Sequence, residues 1–126
     1  MKCRSLAVAT SALVLLFAAA GESFASNNAS PTLNGTVGPG FTISLKRSGK
    51  PVTTLPAGSY TFVVADKADV HNFVLEKKKG GAFEKELTTV PFKGTKSVKI
   101  KLTAGEWEFY CRPHETQGMK GEFTVK

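Results

Sequence analysis

The stretch from Thr95 to Thr103 alternates strictly. Val98, Ile100 and Leu102 fall on one side, Ser97, Lys99 and Lys101 on the other. Alternation with a period of two places every second side chain on one face of an extended strand and fits no helical stripe. The same rhythm recurs in Phe41-Thr42-Ile43-Ser44-Leu45, Ser59 to Val64, Val70 to Glu76, Glu106 to Tyr110 and Glu122 to Val125. Turn-forming residues separate these runs: Arg47-Ser48-Gly49-Lys50-Pro51, Pro56-Ala57-Gly58, Lys77-Lys78-Lys79-Gly80-Gly81 and Ala104-Gly105. There is no helical period of useful length and no internal repeat. Seven or eight short strands in about a hundred residues predict an all-β, antiparallel β-sandwich of one domain. Trp107 and Phe109 are expected in its core, with Glu106, Glu108 and Tyr110 on the opposite face. The lysine run 77–79 reads as the solvated tip of a hairpin.

The first residues are of a different kind. Lys2 and Arg4 precede an uncharged, mostly apolar run from Leu6 to Ala20, and Ser23-Phe24-Ala25 offers small residues where a signal peptidase reads. Residues 1–25 are therefore expected to be a secretory signal peptide cleaved after Ala25, too short in its apolar run for a membrane span. Residues 26–34 follow as a short polar linker and N-terminal segment, and residues 35–126 as the folded domain. The protein is expected to be exported, to the periplasm or beyond, with no stable membrane anchor after cleavage. The full chain has 17 Lys+Arg against 10 Asp+Glu. Losing Lys2, Arg4 and Glu22 leaves 15 against 9, a net charge of +6. Nucleic acid is not an expected partner outside the cytoplasm, and only Arg47 and Arg112 remain as arginines. Lysine suits loose electrostatic steering more than a bidentate grip on phosphate.

Cleavage also removes Cys3 and Met1, so the mature chain holds one cysteine, two histidines and one methionine. A lone thiol in an oxidising compartment forms no internal disulfide. Cys111 continues the inward row of Trp107 and Phe109 at a strand end. His71 shares a face with Phe73 and Leu75 near a strand start, so both side chains aim into the sandwich. His114 lies three residues after Cys111, and Met119 five after His114. Pro113 stiffens the turn between them, and Gly118 eases its return. Each residue alone is ordinary: a lone cysteine packs as a small hydrophobe, an inward histidine is commonly a hydrogen-bonded core residue, and a methionine fills space. Together they use every cysteine, histidine and methionine of the mature chain. Thiolate and thioether suit Cu(I), and imidazole accommodates Cu(II) as well. Thioether is a poor zinc ligand. His71, Cys111, His114 and Met119 are thus the expected ligands of one copper ion.

His71-Asn72-Phe73 and the loop Phe109-Tyr110-Cys111-Arg112-Pro113-His114-Glu115-Thr116-Gln117-Gly118-Met119-Lys120-Gly121 resemble the small blue copper proteins, the cupredoxins, in their plastocyanin and pseudoazurin branch. Azurin-type loops space these ligands differently. The resemblance implies an eight-stranded Greek-key sandwich with one mononuclear type 1 copper at one end. It implies His71, Cys111 and His114 as equatorial ligands and Met119 as a long axial one. Asn72 would tie the two ligand segments together from behind the ligands, beside Pro113. His114 would bring its imidazole edge to the surface and pass the electron. The sequence departs from the plant-type pattern in being lysine-rich where those proteins carry acidic patches. Glu115-Thr116-Gln117 is also more polar than the apolar rim usual there. A basic face suggests an acidic redox partner, as in the pseudoazurin-like proteins. The expected function is one-electron transfer by a monomeric carrier, not catalysis. The alternative is copper storage or delivery with the same ligands.

Overall fold

The computed structural model describes residues 29–126, with Gly21 apart from them. The signal-peptide reading and residues 26–28 otherwise lie outside the described residues. Ten strands form: β1 (Thr32–Val37), β2 (Ile43–Arg47), β3 (Lys50–Pro51), β4 (Thr54–Leu55), β5 (Gly58–Asp66), β6 (Phe73–Lys79), β7 (Phe83–Thr88), β8 (Gly94–Leu102), β9 (Gly105–Tyr110) and β10 (Lys120–Val125). They make two five-stranded sheets. Sheet A has the order β3-β2-β1-β5-β8 and sheet B the order β4-β10-β9-β6-β7. The fold is an all-β, two-sheet sandwich in a single domain.

The alternation seen in the sequence builds the space between the sheets. Leu33, Val37, Phe62, Val64 and Leu102 point inward from sheet A, and Phe73, Leu75, Trp107, Phe109 and Phe123 from sheet B; all are buried. Phe73 and Phe109 stack at 5.8 Å with an interplanar angle of 6°. Gly121 faces Phe109 across the β9–β10 ladder, and a β-carbon there would run into the Phe109 ring. Only glycine leaves room for that ring.

The structure corrects the sequence reading in five places. Two ladders are parallel, β1 with β5 and β10 with β4, so the sandwich is mixed rather than wholly antiparallel. β1 begins at Thr32, inside the stretch read as linker and N-terminal segment. Phe41 precedes β2, because Gly38 N–H donates to Thr42 O at 2.8 Å and Thr42 Oγ1 to Pro39 O at 2.9 Å, closing a loop that releases the chain only at Ile43. His71 likewise precedes β6. Asp66 Oδ1 accepts the Ala68 N–H at 3.3 Å and Ala68 O accepts the His71 N–H at 3.4 Å, so a turn fills the interval that was read as strand. The lysines 77–79 are not a hairpin tip but the end of β6, and the turn is Gly80-Gly81.

Four connections meet at one pole of the sandwich: residues 38–42, 67–72, 89–93 and 111–119. The strand ends Val37, Asp66, Phe73, Thr88, Gly94, Tyr110 and Lys120 fix this by register, since Val37 pairs with Asp66, Asp66 with Gly94, Phe73 with Thr88 and Tyr110 with Lys120.

Candidate metal centre

Cys111 leaves β9 with its side chain inward, as strand parity requires, and is fully buried. Its N–H donates to Met119 O at 2.9 Å, which closes residues 111–119 into a loop anchored at both ends. Within it Arg112–Gln117 forms a 3-10 stretch with proline in its first turn, kinked at His114 (φ −128°, ψ 19°). Pro113 fits there because the first turn leaves its N–H groups unpaired. Gly118 ends the stretch at φ 88°, a left-handed conformation that glycine adopts without strain. His114 N–H donates to Cys111 O at 3.1 Å, and Met119 N–H to His114 O at 3.3 Å. The loop thereby turns the His114 ring back over Cys111.

His71 comes from the other segment and is 3% exposed. Its Nδ1 lies 2.9 Å from His114 Nδ1 and 3.7 Å from Cys111 Sγ, and His114 Nδ1 lies 3.6 Å from the same sulfur. An N–H···N bond would explain the first distance but not the approach of the sulfur to both rings. A point in the plane of the three donors lies about 2.0 Å from each, the distance at which nitrogen binds a first-row metal ion and a little inside the roughly 2.3 Å of a thiolate. Both imidazoles turn Nδ1 toward the same point, so an ion held there would leave the proton of each ring on Nε2. Among the described residues this is the one cluster of His, Cys, Asp or Glu able to hold a metal. Met119, fully buried, belongs to the same core cluster as Cys111. Two borderline nitrogens, a soft thiolate and a nearby thioether fit copper.

Residues 42–126 match the family described as copper binding proteins of the plastocyanin/azurin family. The chain belongs to that family. Its centre is a type 1 copper site of His71, Cys111, His114 and Met119. Plastocyanin of Synechococcus sp. (strain JA-2-3B'a(2-13)) is 32% identical over 82 residues, which are 60% of this chain and 60% of that protein. The chain thus spans about three-fifths of the curated relative that it matches. Reduced rusticyanin is similar at 26% identity, with a TM-score of 0.51, over 75% of this chain and 78% of that one. Auracyanin from Roseiflexus castenholzii, at 22% identity and a TM-score of 0.51, covers 78% of this chain and 98% of its own. That likeness concerns the fold alone.

Around this plastocyanin/azurin-type centre the structure adds contacts that sequence reasoning missed. Asn72 was singled out, and its Oδ1 accepts the Arg112 N–H at 2.8 Å, joining the His71 segment to the Cys111 loop. The Arg112 side chain was not. Its Nη2 donates to Glu84 Oε1 at 2.6 Å and its Nη1 to Glu86 Oε2 at 3.2 Å, while Tyr110 Oη donates to Glu84 Oε1 at 2.8 Å. These bonds pin the residue after Cys111 to β7. The hydrogen bond from Tyr110, then that from Arg112, holds the Glu84 carboxyl below its usual range. Burial, then the bond to Glu84, pushes Tyr110 up to about 12. Nothing local in the sequence announces this network, because it depends on the β6–β7 register.

Phe41 was read as an ordinary strand residue. It is 62% exposed, and its ring meets His114 edge-on at 4.9 Å and His71 at 6.1 Å between centroids. An apolar side chain beside a Gly-Pro-Gly turn was the available signal. Glu115, Thr116 and Gln117 lie on the half-buried to exposed side of the loop, so the polar centre of the loop faces outward.

Proposed function

We propose that the protein is an exported one-electron carrier. The observation that carries this reading is the convergence of His71 Nδ1, His114 Nδ1 and Cys111 Sγ within 3.7 Å of one another. Bound copper supplies the Cu(I)/Cu(II) couple, so one electron enters from a donor and one leaves to an acceptor. No substrate bond breaks, and the protein is a carrier rather than an enzyme. His71, Cys111 and His114 would hold the copper through two imidazole nitrogens and a thiolate, and Met119 would add a weaker thioether donor. Asn72 and Pro113 hold the two ligand segments at fixed separation, which keeps the donor geometry the same in both oxidation states. His114, half-buried beneath Phe41, is the ligand nearest the surface and the exit for the electron. Residues 1–25 direct export, and the mature chain works as a monomer with an acidic redox partner.

Adding Cu(II) to the purified mature protein tests this. An intense visible thiolate-to-copper band should appear in the wild type and be absent in Cys111→Ser, and voltammetry should show a reversible one-electron wave. A colourless protein with weak copper affinity ends the proposal. A protein that holds only Cu(I), or releases copper readily, is a storage or delivery protein instead. Met119→Leu should keep copper and raise the reduction potential, because the oxidised ion loses a weak donor. The rise expected is on the order of 60 mV, the shift produced by a tenfold change in relative affinity for the two oxidation states.

A further inference from the structure

The most conspicuous cations of the sequence, Lys77-Lys78-Lys79, are not where the free charge lies. Lys77 is buried; its Nζ donates to Thr103 Oγ1 at 2.7 Å and sits 5.6 Å from the centre of the Trp107 ring. Lys78 pairs with Glu76 at 3.7 Å and Lys79 with Glu106 at 3.4 Å. Sheet B neutralises itself. Its strands carry Lys77, Lys78, Lys79, Lys85 and Lys120 against Glu76, Glu84, Glu86, Glu106, Glu108 and Glu122. Glu84, Glu76, Glu108 and Glu122 stand in register as one row across four strands.

Sheet A is the opposite. Its strands carry Lys46, Arg47, Lys50, Lys96, Lys99 and Lys101, and their one acid, Asp66, is buried. The ion pairs of the described residues involve Lys78, Lys79 and Arg112, and none of these six cations. Register places Lys46 beside Asn34, Lys99 beside Thr61 and Lys101 beside Ser59 on the outer face, where all three lysines are exposed. Their neighbours on that face are short: Thr32, Thr36, Ser44, Ser97 and Thr95 among them. Long ammonium groups thus rise from a floor of hydroxyl and amide groups, with no carboxylate to quench them. At the pole the same sheet hands over to Phe41, which rests on His114.

We propose that the outer face of sheet A is the docking surface for a protein whose contact face is rich in carboxylates. That this partner exchanges electrons rests on the carrier reading; the surface itself does not. Complementary charge steers encounter and fixes orientation. On the strands the face holds Val63 and Ala65 as apolar residues, both half-buried, and Phe41 at the pole is a single ring rather than the apolar stripe that enters a bilayer, which favours a protein over a lipid surface. Sheet B, with its glutamate row, turns away from such a partner.

The test is a titration of the purified protein with poly-L-glutamate, followed by backbone amide shifts at low and high salt. Vesicles of phosphatidylglycerol serve as the lipid probe. Shifts should fall on β1, β2, β5, β8 and the Phe41 loop and fade as salt screens the charges. The triple variant Lys46→Glu, Lys99→Glu, Lys101→Glu should bind at least about tenfold more weakly. The double variant Lys78→Glu, Lys79→Glu should lose no more than about twofold. Amide spectra unchanged away from the substituted positions establish that both variants fold. Shifts centred on sheet B, equal losses in the two variants, or binding to vesicles but not to poly-L-glutamate would overturn the proposal. Poly-L-glutamate binding needs no redox activity, so failure of the carrier reading shows separately, as a missing visible band or voltammetric wave.

Discussion

Arg112 shows what a single residue contributes beyond its charge. Its pair with Glu84 and Glu86 is half-exposed, and exposed pairs stabilise a fold by about 0–1 kcal/mol at most. The larger consequence is positional and electrostatic, because Arg112 directly follows Cys111. A cation beside the thiolate favours the reduced, less positive centre, and Glu84 and Glu86 mask that cation. Arg112→Ala should therefore lower the reduction potential and Glu84→Gln should raise it. Each shift should be tens of millivolts, given that tenfold in relative affinity is about 59 mV for one electron. Voltammetry of both variants checks the signs, and shifts of the same sign would mean that geometry, not charge, dominates. The ligands themselves were legible in the sequence because each belongs to a residue type that residues 26–126 scarcely use. Glu84 and Phe41 were not, since glutamate and phenylalanine occur throughout strands and turns, and Arg112, although arginine is scarce, finds its two glutamates only through the register between strands.

Among the elements, β8 and β9 were legible because half-buried strands alternate cleanly. β1 was hidden by Asn34 and Gly35 in its middle, and β7 by the charged pair Glu84-Lys85, only its far end being buried. No local pattern reveals which strand a given strand pairs with, so the parallel ladders were out of reach. Strand β9 also departs from its alternation. Glu108 faces outward yet is 2% exposed, in a central strand flanked by β6 and β10, where Glu76 and Glu122 stand directly beside it. Its Oε1 lacks a hydrogen-bond partner, and burial pushes its carboxyl above the ordinary 4.5. An acid whose folded pKa is raised binds its proton more tightly in the folded state. Stability then falls as pH rises from about 4.5 through the folded value. Glu108→Gln should stabilise the protein by about 1 kcal/mol at pH 7, the scale of one unsatisfied buried group. That gain should vanish below about pH 4.5, where the acid is protonated whether folded or unfolded. Thermal melts of both proteins across that range measure it, and a gain independent of pH would assign the effect to packing.

For the whole molecule, the ligand loop is held by hydrogen bonds that owe nothing to a metal: Cys111 N–H to Met119 O, His114 N–H to Cys111 O, and Arg112 N–H to Asn72 Oδ1. Copper removal should therefore leave the far-ultraviolet circular dichroism of the sandwich intact while lowering its melting temperature. At free copper about 100 times the dissociation constant, binding to the folded state alone adds about 2.7 kcal/mol. Loss of the β-sheet signal on chelation would show that the metal, not the core, holds the fold. The wide spacing of the ligands in the chain has a further consequence for biosynthesis. A polypeptide delivered amino terminus first presents His71 forty residues before Cys111, and Met119 only with the start of the last strand. The three-donor set stays incomplete until His114 has emerged, so the ion can be captured as a complete site only after β9 and the loop that follows it.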